Sequence, residues 1–240
     1  MPTTVSREIL DRLASIGSCN IADAIETFNV RLRNEGFNDP SIRSFTPEFP
    51  PVIGYAATLR VRSSELPMKA VPYLRRTEWW YHLQEEPVPK VVIIEDLDPH
   101  PGRGALAGEV HAGVLKAMGC VAIITNGAIR GLPMFQNLKI AVFARNLSVS
   151  HAYGRVVGVG VKVNLAGIEI SPGDLIHADL HGVVNIPLSL AAHLPEAAAR
   201  VDAQKKRIEA FCASPEFSTD GLREVVNEAA EETDHPPIRS

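Results

Sequence analysis

The run Val91-Val92-Ile93-Ile94 sets four apolar residues in succession with nothing polar between them. Successive side chains of a strand point to opposite faces, so this run makes a strand only in a sheet covered on both sides. Its surroundings supply the cover. Glu109 to Met118 carries helical spacing and is closed by Gly119. Val121 to Thr125 reads as a second strand ending at Asn126-Gly127, and Ile140 to Ala144 as a third. Strand and helix alternate through the centre of the chain, which makes the fold mixed α/β.

The flanks follow the same logic. Ser6 is placed to cap a helix in which Ile9, Leu10, Leu13 and Ile16 recur at helical spacing. Gly17 breaks it, and a second short helix is expected from about Ile21 to Phe28. Asn34 to Pro51 is rich in proline and reads as loop. Ala56 to Arg62 alternates apolar Ala57, Leu59 and Val61 with Thr58, Arg60 and Arg62, the pattern of a strand with one wet face. Met68 to Leu83 reads as a helix carrying Trp79-Trp80-Tyr81. Two adjacent tryptophans on a helix point apart, so either one lies at a lid or subunit contact or the core is locally wide. From Arg155 to Pro187 the chain is β-rich, with valines at 157, 159, 161 and 163 and a turn at Pro172-Gly173-Asp174. Glu196 to Phe211 is an amphipathic helix with Pro195 near its first turn, and Thr219 to Glu232 a shorter, acidic one. The reading is one domain over residues 1–240, with a core at about 15–190 and a helical extension at about 191–235.

With 45% hydrophobic and 22% charged residues, 240 residues bury a full core without staples. A net charge of −4 and scattered basic residues exclude the basic stripe that phosphate backbones require, so no nucleic-acid partner is expected. Cys19, Cys120 and Cys212 are widely spaced and odd in number, as in a reducing cytosol. The first seven residues lack a signal-peptide profile, and no apolar run approaches the ~18 residues of a membrane span. A cytoplasmic protein with no membrane partner is the expectation.

The chemistry concentrates between Gly108-Glu109-Val110-His111 and Asn126-Gly127-Ala128-Ile129-Arg130-Gly131. A helix start at Gly108-Glu109 presents unpaired N–H groups and the positive end of a dipole. Arg130 follows a strand's carboxyl end, where pockets of open α/β sheets lie, and its donor fork suits a carboxylate or phosphate. The bland alternative is a solvated turn arginine. His111 either faces the pocket as acid or base or lies on the helix surface. On a strand, His177, Asp179 and His181 would share a face in the manner of a metal cluster, but their strand-turn setting reads as structural. Asp23 is read as structural too. Arg103, in a glycine-rich stretch without nucleotide-loop spacing, is in reach of a second substrate carboxylate. Cys120 is a small core residue.

Glu109 and Arg130, separated by the twenty residues 110–129, resemble the active-site signature of the RraA-like family. That family includes 4-hydroxy-4-methyl-2-oxoglutarate aldolases and the regulators of ribonuclease E activity. Gly54-Tyr55-Ala56-Ala57-Thr58, Ile21-Ala22-Asp23-Ala24 and Pro172-Gly173-Asp174 with Ala178 to Pro187 resemble its other segments in order. The resemblance spans about residues 15–190 and implies a swivelling β/β/α-type sandwich assembled as trimers or hexamers. It implies a lyase of aldolase or decarboxylase type acting on a small carboxylated 2-oxo acid and forming pyruvate. Arg130 and Glu109 would be catalytic, and Gly108, Glu109, Val110, His111 and Arg130 would bind substrate. The cofactor implied is magnesium or manganese, held by an aspartate after the arginine. Here Gly131 stands at that position and has no ligating oxygen, and Asn126 offers only an amide. Three outcomes stay open: a relocated metal, metal-free catalysis, or a non-catalytic RraA-like regulatory or anion-binding protein.

Overall fold

Seven consecutive buried residues make the strand Lys90–Asp96 (β3) at the middle of the molecule. In the computed structural model, which describes residues 4–64 and 78–231, β3 lies between two parallel neighbours. These are Val52–Arg62 (β2) and Cys120–Thr125 (β5), and Ala141–Ala144 (β7) continues the parallel series. Arg43–Ser44 (β1), Leu175–Asp179 (β12) and Gly182–Ile186 (β13) join antiparallel, giving the order β1-β7-β5-β3-β2-β12-β13. One edge of β2 is shared. Val52 to Tyr55 pair with β12, whereas Leu59 to Arg62 pair with Arg155–Val159 (β9).

The four-residue apolar run is explained by what covers each face. Val92 and Ile94 join a cluster with Leu115 and Phe135 from the helices Glu109–Ala117 (α4) and Leu132–Asn137 (α5). Val91 and Ile93 pack on the other face against Val163, Leu165, Ile168 and Ile170. Those four belong to the hairpin of Val163–Leu165 (β10) and Ile168–Ile170 (β11). Hairpin, sheet and helices form the β/β/α sandwich expected from the sequence. A third apolar cluster closes the β12–β13 end beneath Arg7–Ala14 (α1), Ser18–Glu26 (α2) and Leu194–Cys212 (α6). The helical extension therefore divides: α6 buries Leu194, Ala197, Ala198 and Val201, and Thr219–Glu231 (α7) packs on α6.

Several expectations change. The strand beginning at Ala56 starts at Val52 and is drier than its alternation implies: Thr58 is fully buried, while Arg60 and Arg62 are half-buried. Its polar residues are satisfied internally: Thr58 Oγ1 donates to the Val161 carbonyl at 2.7 Å, and Arg60 pairs with Glu95 at 2.8 Å. Gly54 is required here, since a Cβ would stand 2.7 Å from the Pro89 carbonyl oxygen. The second helix starts at Ser18, three residues early, because Asp179 accepts the Ser18 N–H at 2.8 Å and so anchors that end. The valine alternation breaks after Val159, where Gly160 turns the chain with φ +61. The loop before Pro51 contains β1. Of the helix expected over Met68 to Leu83, Glu78–Glu85 (α3) is seen, and residues 68–77 lie outside the described residues.

A second, smaller sheet sets up the site. Ala105–Ala107 (β4), Ala128–Ile129 (β6) and Asn146–Leu147 (β8) form a parallel sheet in that order. Each follows the carboxyl end of one large-sheet strand: β4 follows β3, β6 follows β5, and β8 follows β7. The β4–α4 and β6–α5 turns are thereby held side by side.

Candidate active site

The two adjacent turns make room for each other's charged residue. Arg130 N–H donates to the Ala107 carbonyl at 3.0 Å, fixing β6 against β4 where both chains turn. A Cβ on Gly108 would lie 3.0 Å from Arg130 Cγ and Nε, so the arginine stem crosses directly over that glycine. Reciprocally, a Cβ on Gly131 would lie 2.5 Å from Glu109 Cδ and 2.8 Å from its Oε1. Gly131 has φ +65, the left-handed region that glycine enters without strain. Glu109 thus fills the space in which a side chain at 131 would begin.

The charge at this crossing is unbalanced. Arg130 Nη1 donates to the Val149 carbonyl at 3.4 Å, and among the described residues no carboxylate lies within ion-pair distance of it. Gly108 opens α4 without a side-chain cap, leaving the first-turn N–H groups directed toward the same space. Together they form a receptor for an oxyanion. Glu109 is exposed at the mouth. His111 faces the pocket, stacked on Trp79 with ring centroids 5.9 Å apart. Burial first, and the positive Arg130 second, push its pKa down to about 4. At neutral pH it is an uncharged hydrogen-bonding group and not a cationic acid.

Behind the mouth lies a cavity of about 250 Å³. Gly108, Glu109, Val110, His111 and Arg130 all line it, so every substrate-binding residue expected from the sequence is brought to one place. Val110 sits at the rim, 70% exposed. Sequence reasoning missed how much of the wall is sheet core: Leu59, Val61, Val92, Ile94 and Ile123 all contribute. The two adjacent tryptophans both line it as well, in a T-shaped pair with centroids 6.0 Å apart. Trp79 is buried and Trp80 partly buried, while Tyr81 points outward. Both tryptophans pack against the sheet-and-helix core, and the cavity lies between them and the sheet. His151 and Arg155 join the mouth from the β8–β9 side and carried no sequence signal.

A polar brace beneath the site was also missed. Asp96 is buried and accepts the N–H groups of Asp98 at 3.0 Å and Gly102 at 2.9 Å, shaping the loop into β4. Burial raises its pKa against the lowering effect of those bonds. Asp98 is held below its ordinary range by bonds from Ser63 and Ser64, which outweigh its own burial. Asn126 grips the same backbone twice, its Oδ1 accepting from Asp96 N at 2.6 Å and its Nδ2 donating to Asp96 O at 3.1 Å. The one available signal was an acidic residue ending an apolar strand run.

These contacts bear on the implied magnesium or manganese. Asn126 Oδ1 is already bonded, Gly131 has no side-chain oxygen, and among the described residues Glu109 is the one carboxylate lining the cavity. Among the described residues no group of three His, Cys, Asp or Glu is placed to hold a metal ion. The residues present do not fit a divalent ion held at position 131, where a hard cation wants oxygen ligands. The remaining candidates are accounted for elsewhere. His181 lies past the end of β12 in the turn to β13, so it does not share the strand face of His177 and Asp179. His177 Nε2 contacts the Ile16 carbonyl at 2.9 Å and Asp179 accepts the Ser18 and His181 N–H groups, a structural brace. Asp23 pairs with Lys205 across α2 and α6. Arg103 is exposed and absent from the cavity wall. Cys120 is buried, its thiol pushed up to about 12.

Comparison with known proteins agrees with this architecture. A relative from Halalkalibacterium halodurans, named "Putative 4-hydroxy-4-methyl-2-oxoglutarate aldolase", is 32% identical over 84 residues. That stretch covers 35% of this chain and 40% of the relative, so the chain spans less than half the length of that protein. A solved structure of an uncharacterized protein from Pseudomonas syringae pv. tomato superposes with a TM-score of 0.72 at 21% identity, covering 95% of this chain and 97% of that one. Streptomyces coelicolor RraAS2, described as an unusual member of the RNase ES inhibitor RraA protein family, superposes at 0.67 with 20% identity, covering 85% and 96%. At such identities the superpositions establish the fold alone. The model of the family described as RraA-like (Aldolase/RraA) matches residues 18–185, which include both turns of the site and the closing strands, and the chain belongs to that family.

Proposed function

We propose that this protein is a carbon–carbon lyase that releases pyruvate from a 4-hydroxy-2-oxo acid without a metal held at position 131. One observation carries the reading: an arginine without an acidic partner among the described residues lies across the uncapped start of α4, and the Glu109 carboxylate lines the same cavity beyond ion-pair distance. Arg130 takes the substrate carboxylate in its donor fork, and the first-turn amides of α4 face the 2-oxo oxygen. Glu109 accepts the 4-hydroxyl proton, directly or through one water. As the C3–C4 bond breaks, its electron pair moves to C3 and the 2-oxo group becomes an enolate. Fixed donors stabilise that charge without reorganisation. Protonation at C3 completes pyruvate, and C4 leaves as an aldehyde or ketone. The aldolase name of a distant relative is consistent with this chemistry.

The test is pyruvate release from a panel of 4-hydroxy-2-oxo acids, together with oxaloacetate decarboxylation, each with and without magnesium or manganese. Arg130→Ala is expected to lower kcat/KM by about 10²–10³-fold, as for loss of a principal oxyanion donor, with an unchanged thermal transition. Turnover close to the parent enzyme in that variant would remove the assignment. Absence of turnover across the panel, with oxalate still bound, would favour a non-catalytic anion-binding role, a reading the loss of the ligand at 131 supports. Assembly into trimers or hexamers belongs to the same proposal. It is supported by exposed apolar side chains ringing the mouth, Val110 and Leu147 among them.

A further inference from the structure

The lyase reading leaves the interior of the cavity unused. Arg130, Glu109, His111, His151 and Arg155 are gathered at its mouth, and the wall behind them is apolar. Val61, Val92, Ile94 and Ile123 supply the floor from the sheet, and Trp79 and Trp80 supply the roof from α3. Interiors are normally packed to the density of organic crystals, with few voids larger than a water molecule. A space of about 250 Å³ against the core of a sheet is well beyond that. For scale, an engineered apolar cavity of roughly 150 Å³ stays dry and admits benzene.

We propose that the substrate is a 2-oxo acid whose far end carries a flat apolar group of aromatic-ring size, seated in this cavity behind Arg130. The proposal rests on the lyase reading for the reacting end of the molecule. A second carboxylate on the substrate would meet cations at the rim alone; pushed inward, it would be desolvated against Val92, Ile94 and Ile123 with no partner. A ring meets the opposite situation. It replaces water on the apolar wall and lies against two indoles held edge to face, an arrangement in which aromatic contacts add to burial. The reaction becomes R–CH(OH)–CH2–CO–COO⁻ to R–CHO plus pyruvate, where R is aryl. The hydroxyl proton goes to Glu109, the C3–C4 pair goes to C3, and C3 gains the proton that completes the methyl group.

The decisive measurement is pyruvate release by the full chain from 4-hydroxy-2-oxo-4-phenylbutanoate, 4-hydroxy-2-oxopentanoate and 4-hydroxy-4-methyl-2-oxoglutarate. The phenyl compound is expected to exceed both others in kcat/KM by at least about tenfold. Binding is read separately, because Trp79 and Trp80 are the two tryptophans of the entire sequence and both line the cavity. Phenylpyruvate should titrate their fluorescence at a concentration at least about tenfold below pyruvate, and Arg130→Ala should weaken that titration. Turnover without phenyl preference overturns the cavity proposal and leaves the lyase reading standing. No turnover, but tight phenylpyruvate binding that depends on Arg130, supports the ligand class and overturns the lyase reading. Equal titration by phenylpyruvate and pyruvate, in the absence of turnover, overturns both.

Discussion

At the scale of single residues, the site depends on the close crossing at Gly108 and Gly131. Gly131 stood out in the sequence as a missing carboxylate, but its space is already taken, and only the coordinates show that Glu109 takes it. Restoring the acid by Gly131→Asp is therefore expected to destabilise the fold by about 1 kcal/mol, the lower end of the left-handed cost because aspartate is one of the few residues with a Cβ that enters that region. Glu109 must also move. Urea denaturation measures the loss, and a variant as stable as the parent would contradict the geometry. His111 provides a second handle. Its folded pKa of about 4 lies below the ordinary 6.5, so its contribution is complete above pH 6.5 and is lost as pH falls toward 4. His111→Gln should flatten the fall in stability across that window. His177, buried and shifted in the same direction, keeps part of the slope. An unaltered pH profile would show that His111 is not desolvated. Nothing in the sequence distinguished a pocket-facing His111 from a surface one, because the choice is made by Trp79, which packs on it from another helix.

At the scale of elements, strand and helix identities were readable wherever local pattern and tertiary cover agreed. The run at Val91 to Ile94 needed both faces covered, and it has the β10–β11 hairpin on one and α4 with α5 on the other. At β2 the alternation of Thr58, Arg60 and Arg62 implies water along one face, whereas Thr58 is buried on the Val161 carbonyl and half-buried Arg60 pairs with Glu95. Its register depends on close approach to β3 at Gly54. Gly54→Ala would set a methyl group 2.7 Å from the Pro89 backbone oxygen, which cannot swing aside as a side chain does. Overpacking of this kind costs about 1–3 kcal/mol, and a thermal transition lowered by several degrees is expected. An unchanged transition would mean that the strands separate freely at that point.

At the scale of the whole molecule, the proposed assembly is tested at the exposed apolar residues around the mouth. Val149 is 94% exposed, and its carbonyl accepts from Arg130, so a neighbour seated there touches the site. Light scattering is expected to give three or six times 26.1 kDa. Val149→Glu should lower that mass and reduce pyruvate release together while leaving the circular dichroism spectrum intact, and a monomeric parent would contradict the proposal. By itself the sequence determined the α/β layering, the place of the charged turns and the absence of a side-chain ligand after Arg130, since each follows from local spacing or residue type. Tertiary structure decided what surrounds them. Which side chain fills the gap at Gly131 and which walls enclose the cavity are set by residues distant in the chain. The Gly131 crossing alone unites positions 109 and 131, and the cavity joins Leu59 to Val156. Burial, pKa and hydrogen-bond pairing depend on neighbours in space, and those exist only once the sheet has formed.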